Sequence, residues 1–213
     1  TGRNTRVTLS REEVFFTNHG RHGTRLKMKL ALHPEKGLCA LSADILIDGG
    51  AYGSFGVVTT YYNGVLLHGP YPVPNFAFKC DRVYTNKPMS GAMRGHGAVN
   101  SRFAVESMID DISHKIKMDP GELRMKNFLD PHTLTVGQYR ITSNGSRESI
   151  QKVVQQSDWK NKRGKMKYGH GLGVGCGFFI SGSALPIIRN ELPQSTVHLK
   201  VDFDGRVLIA SGA

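Results

Sequence analysis

The chain has 213 residues, of which 39% are hydrophobic, and carries 28 Lys and Arg against 17 Asp and Glu, a net charge of +11. That length suits one or two domains with a real buried core, and no apolar run approaches the roughly 20 residues needed to span a bilayer. Cys39, Cys80 and Cys176 lie far apart and form no Cys-x-x-Cys pair. This speaks against a disulfide framework and against zinc or iron–sulfur ligation within the stretch, and fits reduced, partly buried thiols of a cytoplasmic protein.

The elements follow in chain order. Arg6 to Leu9 alternates and predicts a short strand; Ser10 and Glu13 then form a capping-box pattern for a helical turn through Phe16. From Arg25 to Leu32, Leu26, Met28, Leu30 and Leu32 alternate with Lys27, Lys29 and Ala31, the pattern of a half-buried strand with a cationic face. A turn at Pro34 to Gly37 leads to a second strand, Leu38 to Ile47, giving an antiparallel hairpin. Gly53 to Leu67, almost uncharged, reads as a buried loop and helix, and Phe76 to Tyr84 as a strand. Val105, Met108, Ile109, Ile112 and Ile116 mark one face of a helix that runs to about Lys117. Asp119, Pro120 and Glu122 then start the next helix as cap, first-turn proline and acidic first turn.

Residues 131–146 are polar and turn-rich and are read as a linker between a first lobe, 1–130, and the start of a second, 147–213. A helix is expected from Arg147 to Gln156, followed by the basic run Lys160, Lys162, Arg163, Lys165 and Lys167. Glycine at every second position from Gly169 to Gly177 reads as a strand in close contact with another backbone, with a flexible phosphate-approaching loop as the rival. Val197 to Val201 and Arg206 to Ile209 form a hairpin about Asp204-Gly205. The fold class is therefore α/β, with mixed sheets and flanking helices.

Chemistry concentrates at Ser90-Gly91-Ala92-Met93-Arg94-Gly95-His96-Gly97, which runs directly into the helix beginning at Ala98 or Val99. Gly95 and Gly97 allow the backbone a positive φ and a close approach to a ligand. The helix start offers unpaired N–H groups and the positive end of its dipole. Together these are a physical recipe for holding an anion or an oxyanion. The excess of basic residues leaves three partners open: nucleic acid, an anionic cofactor or CoA thioester, or an acidic subunit. The scattered cations and the lack of any nucleic-acid module argue against the first.

This loop, the helix Arg102-Phe103-Ala104-Val105-Glu106-Ser107-Met108-Ile109-Asp110 and the run Met118-Asp119-Pro120-Gly121-Glu122-Leu123-Arg124-Met125-Lys126-Asn127 stand in a fixed order. Upstream lie Asp48-Gly49-Gly50-Ala51-Tyr52-Gly53, Tyr71-Pro72-Val73-Pro74-Asn75 and Arg82-Val83-Tyr84-Thr85-Asn86. The whole set resembles the molybdopterin-binding large subunit of the xanthine dehydrogenase and aldehyde oxidase family. His96 stands where the family usually carries phenylalanine, and Thr59-Thr60-Tyr61-Tyr62 where purine-hydroxylating members carry an arginine. Both features are similar to the 4-hydroxybenzoyl-CoA reductase branch.

The resemblance implies a molybdenum-dependent oxidoreductase with a molybdopterin cofactor, in the cytosine dinucleotide form. FAD and [2Fe-2S] would sit in partner subunits or domains of an oligomeric complex, with no nucleic acid and no membrane involved. Arg94, Gly95 and Gly97 would bind the cofactor, with Arg94 in the molybdenum environment. His96 and Tyr62 would be catalytic, as stacking face and proton donor, and Tyr61, Tyr62, His96 and Ser183 would meet the substrate. The reaction implied first is reductive dehydroxylation of 4-hydroxybenzoyl-CoA to benzoyl-CoA. The alternatives are hydroxylation of aldehydes or N-heterocycles, and a non-catalytic basic binding fragment. The family's Gly-Gln-Gly loop and its late acidic base do not occur in the chain. Thr1 and Gly212-Ala213 are therefore expected to be cuts within a longer subunit, and the fragment alone is expected to be inactive.

Overall fold

The architecture comes from a computed structural model that describes residues 2–180 and 196–212. The chain divides into two units, residues 1–179 and 180–213. The first is built on a sheet of β1 (Thr24–His33), β2 (Gly37–Asp48) and β3 (Asn75–Val83), in that spatial order. The alternation seen in sequence becomes a register: Leu26 faces Ile45 and Leu30 faces Leu41 across the antiparallel β1–β2 pair, with a bulge between Ala31 and Leu32. β3 lies parallel to β2. A parallel neighbour needs a long crossover, and here it contains α2 (Gly56–Val65).

β2 is the central strand, and its Leu41, Ala43, Ile45 and Ile47 are buried. They form one core with Leu67, Tyr71, Val105, Ile109, Leu123, Phe128 and Ile150. Val105 and Ile109 come from α3 (Ala98–Lys115) and Leu123 from α4 (Pro120–Lys126). Asp119 caps α4 as its position predicts, accepting from the N–H groups of Gly121 and Glu122 at 2.8 and 3.2 Å.

The face of α3 differs in part from its apolar pattern. Phe103 and Ile116 are exposed, whereas Arg102 is buried. The reason is a charged hub: Glu106 accepts from Arg102, from Arg124 Nε at 2.7 Å, from the Tyr71 hydroxyl at 2.8 Å and from the Cys176 N–H at 2.9 Å. Arg124 also reaches Asp110 at 2.8 Å and is fully buried. Buried charges are tolerated only when paired and hydrogen-bonded, and this hub satisfies both conditions.

The hub also corrects the reading of the glycine-alternating stretch. Residues 169–177 form no strand. Side chains of α3 take the place of a neighbouring strand: Arg102 donates to the Cys176 carbonyl at 3.1 Å while Glu106 takes its N–H. Arg6 to Leu9 likewise form no strand; all four are exposed, so their alternation buries nothing. The capping box before α1 (Arg11–Thr17) is present as expected.

Within 131–146 a small hairpin pairs β4 (Thr133–Leu134) with β5 (Arg140–Ile141). α5 (Ser146–Gln156) follows, with Arg147 bonded to Asp130 and to the Phe128 carbonyl, both at 2.7 Å. α6 (Trp159–Lys162) ends the helical part. The second unit contains the hairpin β6 (Val197–Val201) and β7 (Val207–Ser211), turned by a bond from Gly205 N to the Asp202 carbonyl, with Gly205 at φ 82°. Among the described residues no helix is long and apolar enough to cross a membrane.

Candidate functional site

The site is assembled from the end of the Arg94 loop, the start of α3 and the buried face of α2. Gly95 and Gly97 adopt φ of 89° and 83°, the left-handed region that only glycine enters without strain. Gly97 is the N-cap of α3. A Cβ on it would meet the Thr59 carbonyl and the Tyr62 side chain, so its missing side chain is what lets α2 and α3 approach. Arg94 is also left-handed, at φ 40°, a conformation that costs a non-glycine residue about 1–2 kcal/mol. Its side chain lies at the surface.

His96 and Tyr62 meet directly. Their rings are 5.3 Å apart and nearly perpendicular. Phe55, just before α2, sets its edge against His96 at 6.1 Å, and Phe179 packs on Tyr62 at 6.0 Å. Tyr61 adjoins Tyr62 at 6.2 Å. Tyr62 is buried and Tyr61 half-buried. Burial raises both phenols above their ordinary value of 10.0, so both stay protonated donors at neutral pH. Burial lowers the His96 imidazole, while a hydrogen bond to the Phe55 backbone acts the other way. The net effect keeps His96 neutral near pH 7. Its Nε2 is shut off from solvent without a hydrogen-bond partner.

Residues that sequence reasoning did not find also line this region. His22 is buried with an unpartnered Nε2, and burial, Arg82 and His96 hold its pKa down at about 4. Arg82 donates to the Gly49 and Tyr52 carbonyls at 2.9 and 3.0 Å. A Cβ on Gly49 or Gly56 would collide with its guanidinium, which explains glycine at both positions. Tyr139 brings a buried, unpartnered hydroxyl into the same neighbourhood; burial first, and the Tyr61 and Tyr62 phenols second, raise its pKa. No local pattern signals these residues, because each is recruited from a separate segment. Ser183 lies outside the described residues.

Residues 1–128 match the molybdopterin cofactor-binding domain. The chain belongs to that family, shared by xanthine dehydrogenase and aldehyde oxidase large subunits. The xanthine dehydrogenase molybdenum-binding subunit of Escherichia coli O157:H7 is 32% identical over 216 residues, covering 98% of this chain and 28% of that protein. The nicotinate dehydrogenase large molybdopterin subunit of Eubacterium barkeri is 31% identical over 153 residues, 71% of this chain and 36% of that protein. The aldehyde oxidoreductase of Desulfovibrio gigas superposes with a TM-score of 0.73 at 25% identity, over 90% of this chain and 21% of that one. The chain thus spans between 21% and 36% of the length of these relatives.

The residues present fit an anionic organic cofactor of this kind. The Arg94 loop offers an exposed arginine, two left-handed glycines that bring backbone close, and a helix start behind them. Beside it stands an imidazole nitrogen with no partner. Among the described residues no three His, Cys, Asp or Glu side chains converge as a metal site.

Proposed function

We propose that this chain forms one wall of the cofactor and substrate site of a molybdenum-dependent oxidoreductase. The observation that carries the reading is the Arg94–Gly97 loop, with both glycines left-handed at the head of α3 and His96 packed on Tyr62, in a chain of the molybdopterin-binding family. Arg94, Gly95 and Gly97 would hold the cofactor, and His96, Tyr62 and Tyr61 would face the substrate, with Ser183 as a further contact. The bound cofactor supplies two-electron redox chemistry at molybdenum. The chain's own residues orient the substrate ring on an aromatic wall and donate hydrogen bonds from neutral groups.

For the complete protein we place hydroxylation of an aldehyde or N-heterocycle first. The names of the relatives, xanthine and nicotinate dehydrogenases, support it. Reductive dehydroxylation of 4-hydroxybenzoyl-CoA is the second reading, favoured by His96 in the loop and by Tyr61 and Tyr62 on α2. There a proton must reach the departing phenolic oxygen, and the Tyr62 phenol, or His96 in its protonated form, would deliver it. The complete enzyme would carry the cytosine dinucleotide cofactor and work in the cytoplasm with iron–sulfur and FAD subunits. Residues 1–130 would contribute to one lobe and 147–213 to the next.

The test is molybdenum and pterin content of the full-length subunit purified with its neighbouring subunits. Near one of each per subunit is expected, and neither metal nor pterin would overturn the reading. Turnover on N-heterocycles or aldehydes with an electron acceptor is then compared with turnover on 4-hydroxybenzoyl-CoA with a reductant. His96→Phe is expected to change a hydroxylase little and to cost a dehydroxylase about a hundredfold in kcat.

A further inference from the structure

The Arg94 loop does not hold its own conformation. Three of its residues, Arg94, Gly95 and Gly97, adopt positive φ. What binds it is a strap formed by residues 20–22, more than 70 positions upstream. Gly20 bridges Ser90 through the backbone: Gly91 N donates to the Gly20 carbonyl at 3.0 Å and Gly20 N to the Met89 carbonyl at 3.4 Å. Arg21 then reaches further along the same stretch. One terminal nitrogen of its guanidinium donates to the Met93 carbonyl and, at 2.8 Å, to the Arg94 carbonyl. The His22 carbonyl accepts from the Asn100 side chain at 3.1 Å, in the first turn of α3. The strap therefore fastens the loop before, within and after its left-handed segment.

We propose that Arg21 is a positioning residue that sets the Arg94–Gly97 loop in its ligand-holding conformation. The inference rests on the reading of that loop as the cofactor wall. The physical reason is specific to carbonyls. With the Met93 and Arg94 oxygens drawn toward a cation on one side, the N–H groups of those same trans peptides, on Arg94 and Gly95, are directed to the other. A charge-assisted donor holds such a geometry more firmly than water does. Arg21 is exposed, so its removal leaves the core intact.

The experiment uses the full-length subunit with its partner subunits, wild type and Arg21→Met, with Arg21→Lys as the charge-conserving control. Amide hydrogen exchange over residues 91–98 is expected to quicken at least about tenfold in Arg21→Met with the unfolding midpoint unchanged. Retained pterin is expected to fall, and kcat to drop about tenfold or more with a smaller change in KM. Arg21→Lys recovers part of each. Unchanged exchange in Arg21→Met overturns the proposal, whatever the cofactor content. So does faster exchange with wild-type pterin, kcat and KM. A wild-type complex without molybdenum or pterin overturns the functional reading instead, and exchange alone then decides whether Arg21 holds the loop. If Arg21→Met does not assemble, Arg21→Gln, which also removes the charge, carries the same comparison, and its identity with wild type in exchange and kcat overturns the proposal.

Discussion

Glu106 shows how much a single residue organises. It takes four donors from α3, α4, the segment before β3 and the glycine-alternating stretch. Burial disfavours the charge on Arg124, yet Glu106 and Asp110 outweigh it and raise that guanidinium's pKa. Tyr71→Phe removes one donor and leaves the ring that stacks on Phe128; it should cost about 2 kcal/mol, the value of a hydrogen bond to a charged group. Glu106→Ala removes the carboxylate that pairs both buried arginines, leaving Arg124 with Asp110 and Arg102 with backbone carbonyls alone, and should cost about 3–5 kcal/mol. Urea unfolding of both variants checks the order, and equal losses would show that the hub is not centred on the carboxylate.

Two elements depend on their first residue. α3 starts on Gly97, whose backbone is left-handed and whose missing Cβ admits the Thr59 carbonyl of α2. Gly97→Ala should lower stability by more than about 1 kcal/mol and push His96 off Tyr62. The loss of ring contact would appear as altered aromatic NMR shifts, and a variant as stable as wild type would refute the packing argument. α4 starts on Asp119, which also accepts from the Trp159 indole at 2.8 Å. Asp119→Ala should cost about 2 kcal/mol, combining a lost cap with a lost hydrogen bond. Trp159 is the one tryptophan in the chain, so its fluorescence should shift to the red as the indole is released.

At the scale of the whole molecule, buried histidines set the response to acid. Burial holds His68 at about 4, and burial with Arg82 and His96 does the same for His22. The unfolded chain takes up these protons below about pH 6.5, while the folded chain refuses them until about pH 4. Stability must therefore fall as pH drops from about 6.5 to 4. Bonds from Lys87, Thr85 and the Gly50 N–H hold Asp48 at about 2. Its contribution is present above the ordinary aspartate pKa and is lost as pH falls toward 2. Urea midpoints between pH 7.5 and 4 should decline, and His68→Asn should flatten the decline. An unchanged slope in that variant would remove His68 as a cause.

Local rules suffice for what is local in this chain. The alternation of Leu26 to Leu32 specified β1, Ser10 with Glu13 specified a capping box, and Asp119-Pro120 specified the head of α4, because period, cap and turn chemistry act within a few residues. The Gly-x-Gly before α3 likewise marked the loop whose left-handed glycines the fold displays. Tertiary structure alone decided the rest. It turned Arg102 and Glu106 inward and Phe103 outward, since a closed ion-pair hub removes the cost of burying charge. It left Gly169 to Gly177 without a ladder, since α3 side chains already held the Cys176 backbone. It brought Arg21 and His22 to a loop and helix start far away in sequence, since only folding places a donor beside a carbonyl 73 residues on.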